Sequence, residues 1–373
     1  MQEFLVGGAI RDKILGIATE STEKDYVVVG SSPEEMKSLG FRQVGKEFPV
    51  FLHPKSNEEY ALARLERKIG KGYKGFEFDT SKSVTLEQDL SRRDLTINAI
   101  AQNKDGSGEF IDPFGGLEDI KERTIRHVSE AFSEDPVRIL RTARFASRFH
   151  HLGFTIDSGT LDLMKMMVSS GEVDALTSER VFKEINLSMN TEASSIFFEV
   201  LIESGAYQRL FPMLEMTQSV NFKHLDHENL ASEVTFALWL YDQKPGNIEL
   251  LCEHLKCPKD MQQIAELVSS WYDFASDFLS HQPEEILNFY LKTDGLRRQK
   301  RFELILESFK NLNIDTSKID QLKTQLNLIK ISDLKNINIA QELVEERLLV
   351  ITRFIDSAPV SYTHLTLPTT PYV

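Results

Sequence analysis

The chain has 373 residues, of which 41% are hydrophobic and 27% charged, an ordinary globular balance with length for two or three domains. No apolar run approaches a membrane span, and the opening MQEFLVGGAI has neither a basic region nor a cleavage site, which argues against secretion. A net charge of −14 disfavours indiscriminate nucleic-acid binding, and only two cysteines fit a reducing cytoplasm.

In chain order, residues 1–130 read as α+β. EFLVGG is a short strand running into glycines, AIRDKILG a short helix ended by Gly16, and DYVVVG a buried strand. PEEMKSLG is a second short helix with Pro33 in its first turn. FRQVGKEFPVFLHP and EEYALARLE, divided by the turn-like KSN, read as paired strands. Residues 64–85 are rich in glycine and lysine, with little periodicity, and fit a mobile loop; within them RLERKIGKGYKG carries five basic residues against one acid. From about residue 86 onward the pattern is helical. Ser133 is the expected N-cap of a helix through EDPVRILRTARFASRF, with Pro136 in its first turn. On that helix Arg138, Arg141, Arg144 and Arg148 share one arc, and Ile139, Leu140, Ala143 and Ala146 the other. Residues 131–215 form this helical segment, and 216–356 continue with helices but no chemistry-bearing motif. Cys252 and Cys257 flank His254 in LCEHLKCP; zinc would need a fourth ligand and tighter spacing, so a plain helix face is expected. The last stretch, 357–373, lacks any charge and breaks with the text before it, as a non-native tail would.

Four stretches carry chemistry. Gly7 and Gly8 after a strand allow close backbone approach to a ligand, and Arg11 is placed one turn in to hold a phosphate. In EKDYVVVG, Glu23 and Asp25 lie two apart, so in a strand both point to one face. They read either as a pair for a divalent cation or as a polar turn before a strand. RRDLTINAIA reads as a helix start with Asp94 as cap. In SEDPVRILRTARFA, Asp135 and Arg138 sit one turn apart. An arginine stripe is more often a solvated face, but an acid–arginine pair can also read a base edge. Cytosine and adenine both present an acceptor beside an amino donor, so one such pair could select C and A.

LVGGAIRDKILG, EKDYVVVG, RRDLTINAIA, IDPFGGLEDI and EDPVRILRTARF resemble, in order and spacing, the motifs of class II tRNA nucleotidyltransferases, the CCA-adding enzymes, over roughly residues 1–215. The resemblance implies a polymerase β-like α+β head (1–130) with a mixed five-stranded sheet, a helical neck (131–215) with a nucleotide-selecting helix, and a helical, tRNA-binding body and tail (216–356). It implies CTP, ATP and tRNA as partners, Mg2+ as cofactor, no membrane, and a cytoplasmic enzyme. By position it makes Glu23 and Asp25 the catalytic metal pair. Gly8 and Arg11 match the nucleotide-contacting turn, Arg93 a triphosphate contact, and Asp135, Arg138, Arg141 and Arg144 the base-reading and phosphate-binding helix. The loop at 64–85 matches the segment associated with the final adenylate step. Two departures stand out. Glu23 replaces the usual first aspartate, and no His-Asp dipeptide is present, so no phosphohydrolase activity is expected. FKHLDHEN, with His224, Asp226 and His227, is the nearest cluster and reads as a polar face. A poly(A) polymerase of the same superfamily is the nearest alternative. It tends to carry a basic stretch where this chain has VGKEFPVFLHP with Glu47 and Pro49. An inert RNA-binding relative is the other alternative.

Overall fold

The computed structural model describes residues 1–44, 50–68, 76–216, 222–329 and 338–357. Strand β1 (Gln2–Val6) turns through Gly7 into helix α1 (Gly8–Ile14), and β2 (Asp25–Val29) follows. In β2 three successive residues, Tyr26, Val27 and Val28, are buried, because the strand is covered on both faces. Val27 packs with Phe4, Val6 and Leu90 on one face, while Tyr26 and Val28 pack with Met36, Phe51 and Tyr60 on the other.

Helix α2 (Pro33–Ser38) starts with a capping box in which Ser32 and Glu35 satisfy each other's backbone N–H. Strands β3 (Arg42–Val44), β4 (Val50–Leu52) and β5 (Glu59–Leu62) complete one wing, giving the order β3-β4-β5-β2-β1-β8, with β8 at Ala101–Asn103. The β2–β5 pair is parallel and the others antiparallel, so the sheet is mixed. It has six strands where five were expected. The sixth, β8, is three residues long and was hidden because the text after residue 86 reads as helical. It is held as an edge against β1, with Ala101 bridged to Ile111 on its other side.

The expected loop at 64–85 is also corrected. β6 (Leu65–Lys68) and β7 (Phe76–Asp79) pair antiparallel, followed by α3 (Leu86–Ser91) with a Thr85–Gln88 capping box. Residues 69–75, Glu47 and Pro49 lie outside the described residues, as does 358–373 of the presumed tail.

Asp94 does not start an α-helix. It precedes a single 3-10 turn, Thr96–Asn98, against which α4 (Gly116–Lys121) packs. A Cβ on Gly116 would stand 2.3 Å from the Thr96 carbonyl oxygen, so only glycine permits this approach. Asp112 caps α4 by accepting from the N–H groups of Gly116 and Leu117, both at 2.8 Å. These contacts give IDPFGGLEDI its structural work.

After the two-residue β9 (Thr124–Ile125), α5 spans Val137–Phe149. Its cap differs from the expectation: the Ser133 hydroxyl donates to Glu130 O, while Asp135 accepts from the Val137 N–H at 3.2 Å. The apolar arc is buried as its periodicity requires, with Ile139, Leu140, Ala143 and Ala146 all inside. β10 (Thr155–Ile156) pairs parallel with β9; α6 (Ser158–Ser169), α7 (Ser178–Ser188) and α8 (Ser194–Glu203) follow, and α5 packs on α7 and α8.

The chain divides into two compact units, residues 1–235 with 246–259, and residues 236–245 with 260 onward. The second is built of helices around Phe289, Tyr290 and Phe302, with the Tyr290 hydroxyl donating to Ile319 O at 2.5 Å. Among the described residues no helix is long and apolar enough to cross a membrane. Cys252 is buried in the helix Pro245–Leu255, and the Cys257 N–H bonds back to its carbonyl at 2.9 Å.

Candidate active site

A cleft of about 950 Å³ opens in the first unit and brings every one of the sequence-derived site residues to its walls. Ten basic and six acidic side chains line it, so it is locally positive in a chain of net charge −14.

The cleft begins at the turn after β1. Gly7 has φ +71°, and a Cβ there would lie 3.1 Å from an Arg93 terminal nitrogen. Glycine therefore lets a guanidinium approach the backbone at the strand end. Arg93 donates to Asn98 O at 3.3 Å and to Asp89 Oδ2 at 3.4 Å, while its buried Nε has no hydrogen-bond partner among the described residues. The rest of the guanidinium is partly exposed and lines the cleft, where it offsets the neighbouring carboxylates. Asp89 anchors this corner. Burial pushes its carboxyl up, but Arg92 and Arg93 outweigh that and hold it below its ordinary value.

Glu23 lies just before β2 and Asp25 is its first residue; both line the cleft. Parallel pairing sets Glu59 of β5 in register with Asp25, which adds a third carboxylate at the same end of the central strands. Although Asp25 is accessible to solvent, the cleft walls desolvate it and push its pKa up. Arg93 opposes that shift, and Glu59 and Glu23 add to it. Among the described residues no three possible metal ligands converge on one point, a spacing that mutual repulsion of like charges favours. The donors are hard carboxylate oxygens, with one pKa raised by desolvation and, less, by its acidic neighbours; that set fits magnesium and suits softer metals poorly.

The arginines of α5 form the facing wall, and each is held. Arg138 is buried and donates to the carbonyls of Ala131 (2.8 Å), Arg92 and Arg93. Arg141 binds the buried Asp94 through Nε at 2.7 Å; burial raises this carboxyl, but Arg141 and the Asn98 amide pull it far below its ordinary value. Arg144 pairs with Glu184 at 2.5 Å. Asp135 does not pair with Arg138 one turn away; its Oδ2 accepts from Arg180 of α7 at 2.6 Å. Gly8 flanks Arg11, which is 2% exposed. Arg11 is bound to Asp12 (2.7 Å) and Asn98 (2.5 Å), with its guanidinium 5.0 and 4.9 Å from the rings of Phe145 and Phe149. A guanidinium so engaged gives the cleft a positively charged, fixed wall.

Sequence reasoning missed Glu59, Arg180, Lys183 and Glu184, all of which line the cleft. For the last three the signal was present in SERVFKE, whose 180, 183 and 184 positions share one helical face. Glu59 left none, because strand register sets its place. In FKHLDHEN, Asp226 accepts from the Ser195 N–H (2.8 Å) and hydroxyl (2.7 Å) at the start of α8, a helix-capping role.

Residues 3–126 match the family model of the poly A polymerase head domain, and 153–217 match that of a probable RNA and SrmB-binding site of polymerase A. A CCA-adding enzyme of Coxiella burnetii (strain RSA 331 / Henzerling II) is 45% identical over 341 residues, covering 90% of this chain and 88% of the relative. One from Pseudomonas putida (strain W619) is 46% identical over 311 residues, 81% of each chain. The fold agrees with that of a solved CCA-adding enzyme (apo form II), with TM-score 0.68 at 22% identity over 96% of this chain and 89% of the other. With the poly A polymerase-type head in place and such identity running through nine-tenths of its length, the chain belongs to the family of CCA-adding enzymes.

Proposed function

We propose that this protein adds or repairs the 3′-terminal CCA of tRNA, using CTP and ATP without a nucleic-acid template. The 45% identity to a CCA-adding enzyme across 90% of the chain carries the reading. A locally positive cleft with carboxylates on one wall and arginines on the other supports it.

In this reading the tRNA 3′-hydroxyl attacks the nucleotide α-phosphorus. The new 3′-O–P bond forms as the bond from the α-phosphorus to the bridging oxygen breaks, pyrophosphate leaves, and the hydroxyl proton passes to solvent. Glu23 and Asp25 would hold magnesium, which would lower the pKa of the attacking hydroxyl and neutralise charge on the leaving group. Glu59, in register with Asp25, adds negative charge that strengthens the cation site. Arg93, which lines the cleft with its guanidinium partly exposed, binds the triphosphate. Asp135 and Arg138 read the base, with Arg180 holding the Asp135 carboxylate in place beforehand. Arg141 and Arg144 present positive charge to the phosphates while tethered to Asp94 and Glu184. Residues 1–130, 131–215 and 216–356 serve as head, neck and tRNA-binding body and tail. We place the enzyme in the cytoplasm, where its substrate and two free cysteines fit.

The test is to incubate the protein with Mg2+, CTP, ATP and a tRNA lacking its 3′ CCA, then sequence the ends. Addition of C-C-A is expected. A long A tract would make it a poly(A) polymerase, and binding without extension would make it an inert RNA-binding relative.

A further inference from the structure

Helix α5 is joined to the α+β head by an unbroken polar chain with two points of attachment. At one end Arg141 binds Asp94 Oδ2 at 2.7 Å. Asp94 Oδ1 accepts from the Asn98 amide nitrogen at 3.0 Å, and the Asn98 amide oxygen accepts from Arg11 at 2.5 Å. This fixes the amide's orientation, since a flip would set donor against donor and acceptor against acceptor. Arg11 then binds Asp12 Oδ1 through Nε (2.8 Å) and a terminal nitrogen (2.7 Å), and Asp12 Oδ2 accepts from Arg148 at 2.9 Å. Between the two ends the flat Arg11 cation lies near the rings of Phe145 and Phe149.

Asp12 is the link that touches both partners and is itself outside the cleft: it is 6% exposed and does not line the cavity. Its two oxygens serve one arginine from each side of the junction, so its replacement cannot act by direct loss of a ligand contact. The attachments at Arg141 and Arg148 stand two helical turns apart, roughly 10 Å along the axis. Arg138 adds a third hold near the helix start, on the Arg92 and Arg93 carbonyls, so Arg148 on Asp12 is the polar attachment that fixes the far end of the helix and with it the tilt.

We propose that Asp12 is a positioning residue for nucleotide addition, setting the register of the arginine-bearing helix α5 against the start of strand β2, where Glu23 and Asp25 stand. The inference rests on the function proposed above. The base is held from the helix and the reaction centre from the strand, so an error in register displaces the α-phosphate from the carboxylates with binding little altered. A displacement of about 1 Å costs up to roughly 100-fold in rate.

The test compares wild type, Asp12→Asn, Arg148→Gln, Arg148→Lys and the Asp12→Asn/Arg148→Gln double variant. The substrates are tRNAs ending before the first C and before the A, with kcat and KM taken separately for CTP and ATP, and Tm recorded for each protein. Asp12→Asn is expected to lower kcat by roughly 10- to 100-fold, with a smaller change in KM and an altered CTP-to-ATP ratio. Arg148→Gln is expected to do the same, to add little in the Asp12→Asn background, and to be largely restored by Arg148→Lys, which returns a cation to Oδ2. A fall in Tm with kcat and KM unchanged per folded molecule would reduce Asp12 to a structural role and overturn the inference. Fully multiplicative effects would place Arg148 on the nucleotide directly and overturn it too. If Asp12→Asn does not fold, the Arg148 pair decides: equal loss in the glutamine and lysine variants overturns the proposal. A wild type inactive on both tRNAs would fail at the proposed function itself, a result separate from any of these.

Discussion

Glu23 reaches the cleft one methylene further than an aspartate would, and nothing in the packing around it demands the extra length: it is exposed, two residues before β2. A longer chain has more rotamers to lose when it takes up a ligand position. Glu23→Asp is therefore expected to match or exceed wild-type kcat and to need less Mg2+ for half-maximal activity, as a magnesium titration of turnover will show. A tenfold loss would mean that the site has been retuned around glutamate. Asp25 gives a second residue-level expectation. Its pKa is raised by desolvation of the cleft edge, then by Glu59 and Glu23, against the pull of Arg93. In the cation-free site it thus gains its proton at a higher pH than a free aspartate does, so protons compete with Mg2+ for it early on the acid side and activity at limiting Mg2+ falls with them. Glu59→Gln removes one of the raising charges, so the acid limb of the kcat/KM profile should move to lower pH. An unmoved limb would show that Glu59 does not act on the site electrostatically.

At the scale of elements, the junction of the Thr96–Asn98 turn with α4 and α5 is the most demanding part of the molecule. Gly116→Ala would drive a methyl group into the Thr96 carbonyl at 2.3 Å, and overpacking of this kind costs about 1–3 kcal/mol. A urea melt should show the loss, and turnover should fall as well, since the same turn presents Asn98. An unchanged midpoint would mean that the turn yields freely. The neighbouring Asp94 links the junction to pH. Its carboxyl is held below its ordinary value in the fold by Arg141 and Asn98, despite burial that raises it. Its stabilising contribution is therefore complete above the unfolded value near ~4 and is lost as pH falls from there toward the lower folded value. Asp94→Asn should flatten that part of the acid-denaturation curve, and a curve of unchanged steepness would contradict the assignment. These elements also show what was legible in advance. The Gly-Gly turn, the acid pair and the α5 arginines could be read because each lies within a few residues of its neighbours in the chain. Strand β8 and the β6–β7 pair could not, because their extended form comes from pairing with distant segments, a tertiary effect that local pattern does not carry. Glu59 arrives by strand register, and the Asp135–Arg180 pair by helix packing.

For the whole molecule, composition and site point in opposite directions. A charge of −14 repels a polyanion at long range, while ten basic against six acidic side chains at the cleft attract it at contact. The sequence showed both, the first as a total and the second as local clusters of arginine, but not which prevails, because that depends on where the charges stand in space. At about 0.1 M salt the screening length is near 10 Å. A phosphate in the cleft then feels the charges that line it, and the acidic surface further away is largely screened. The cleft should therefore win, and tRNA affinity should fall as salt is raised, through release of counterions from the neutralised phosphates. Lys183 reports on this balance: it lines the cleft, is exposed, and has no ion pair or hydrogen bond among the described residues. Lys183→Gln should weaken tRNA binding and reduce the slope of log affinity against log salt by up to about one. Filter binding of a tRNA lacking CCA over a salt series measures both quantities. Affinity that rises with salt would show that the acidic surface governs association. A falling affinity with the same slope in the variant would place the phosphates away from Lys183, on the arginines of α5.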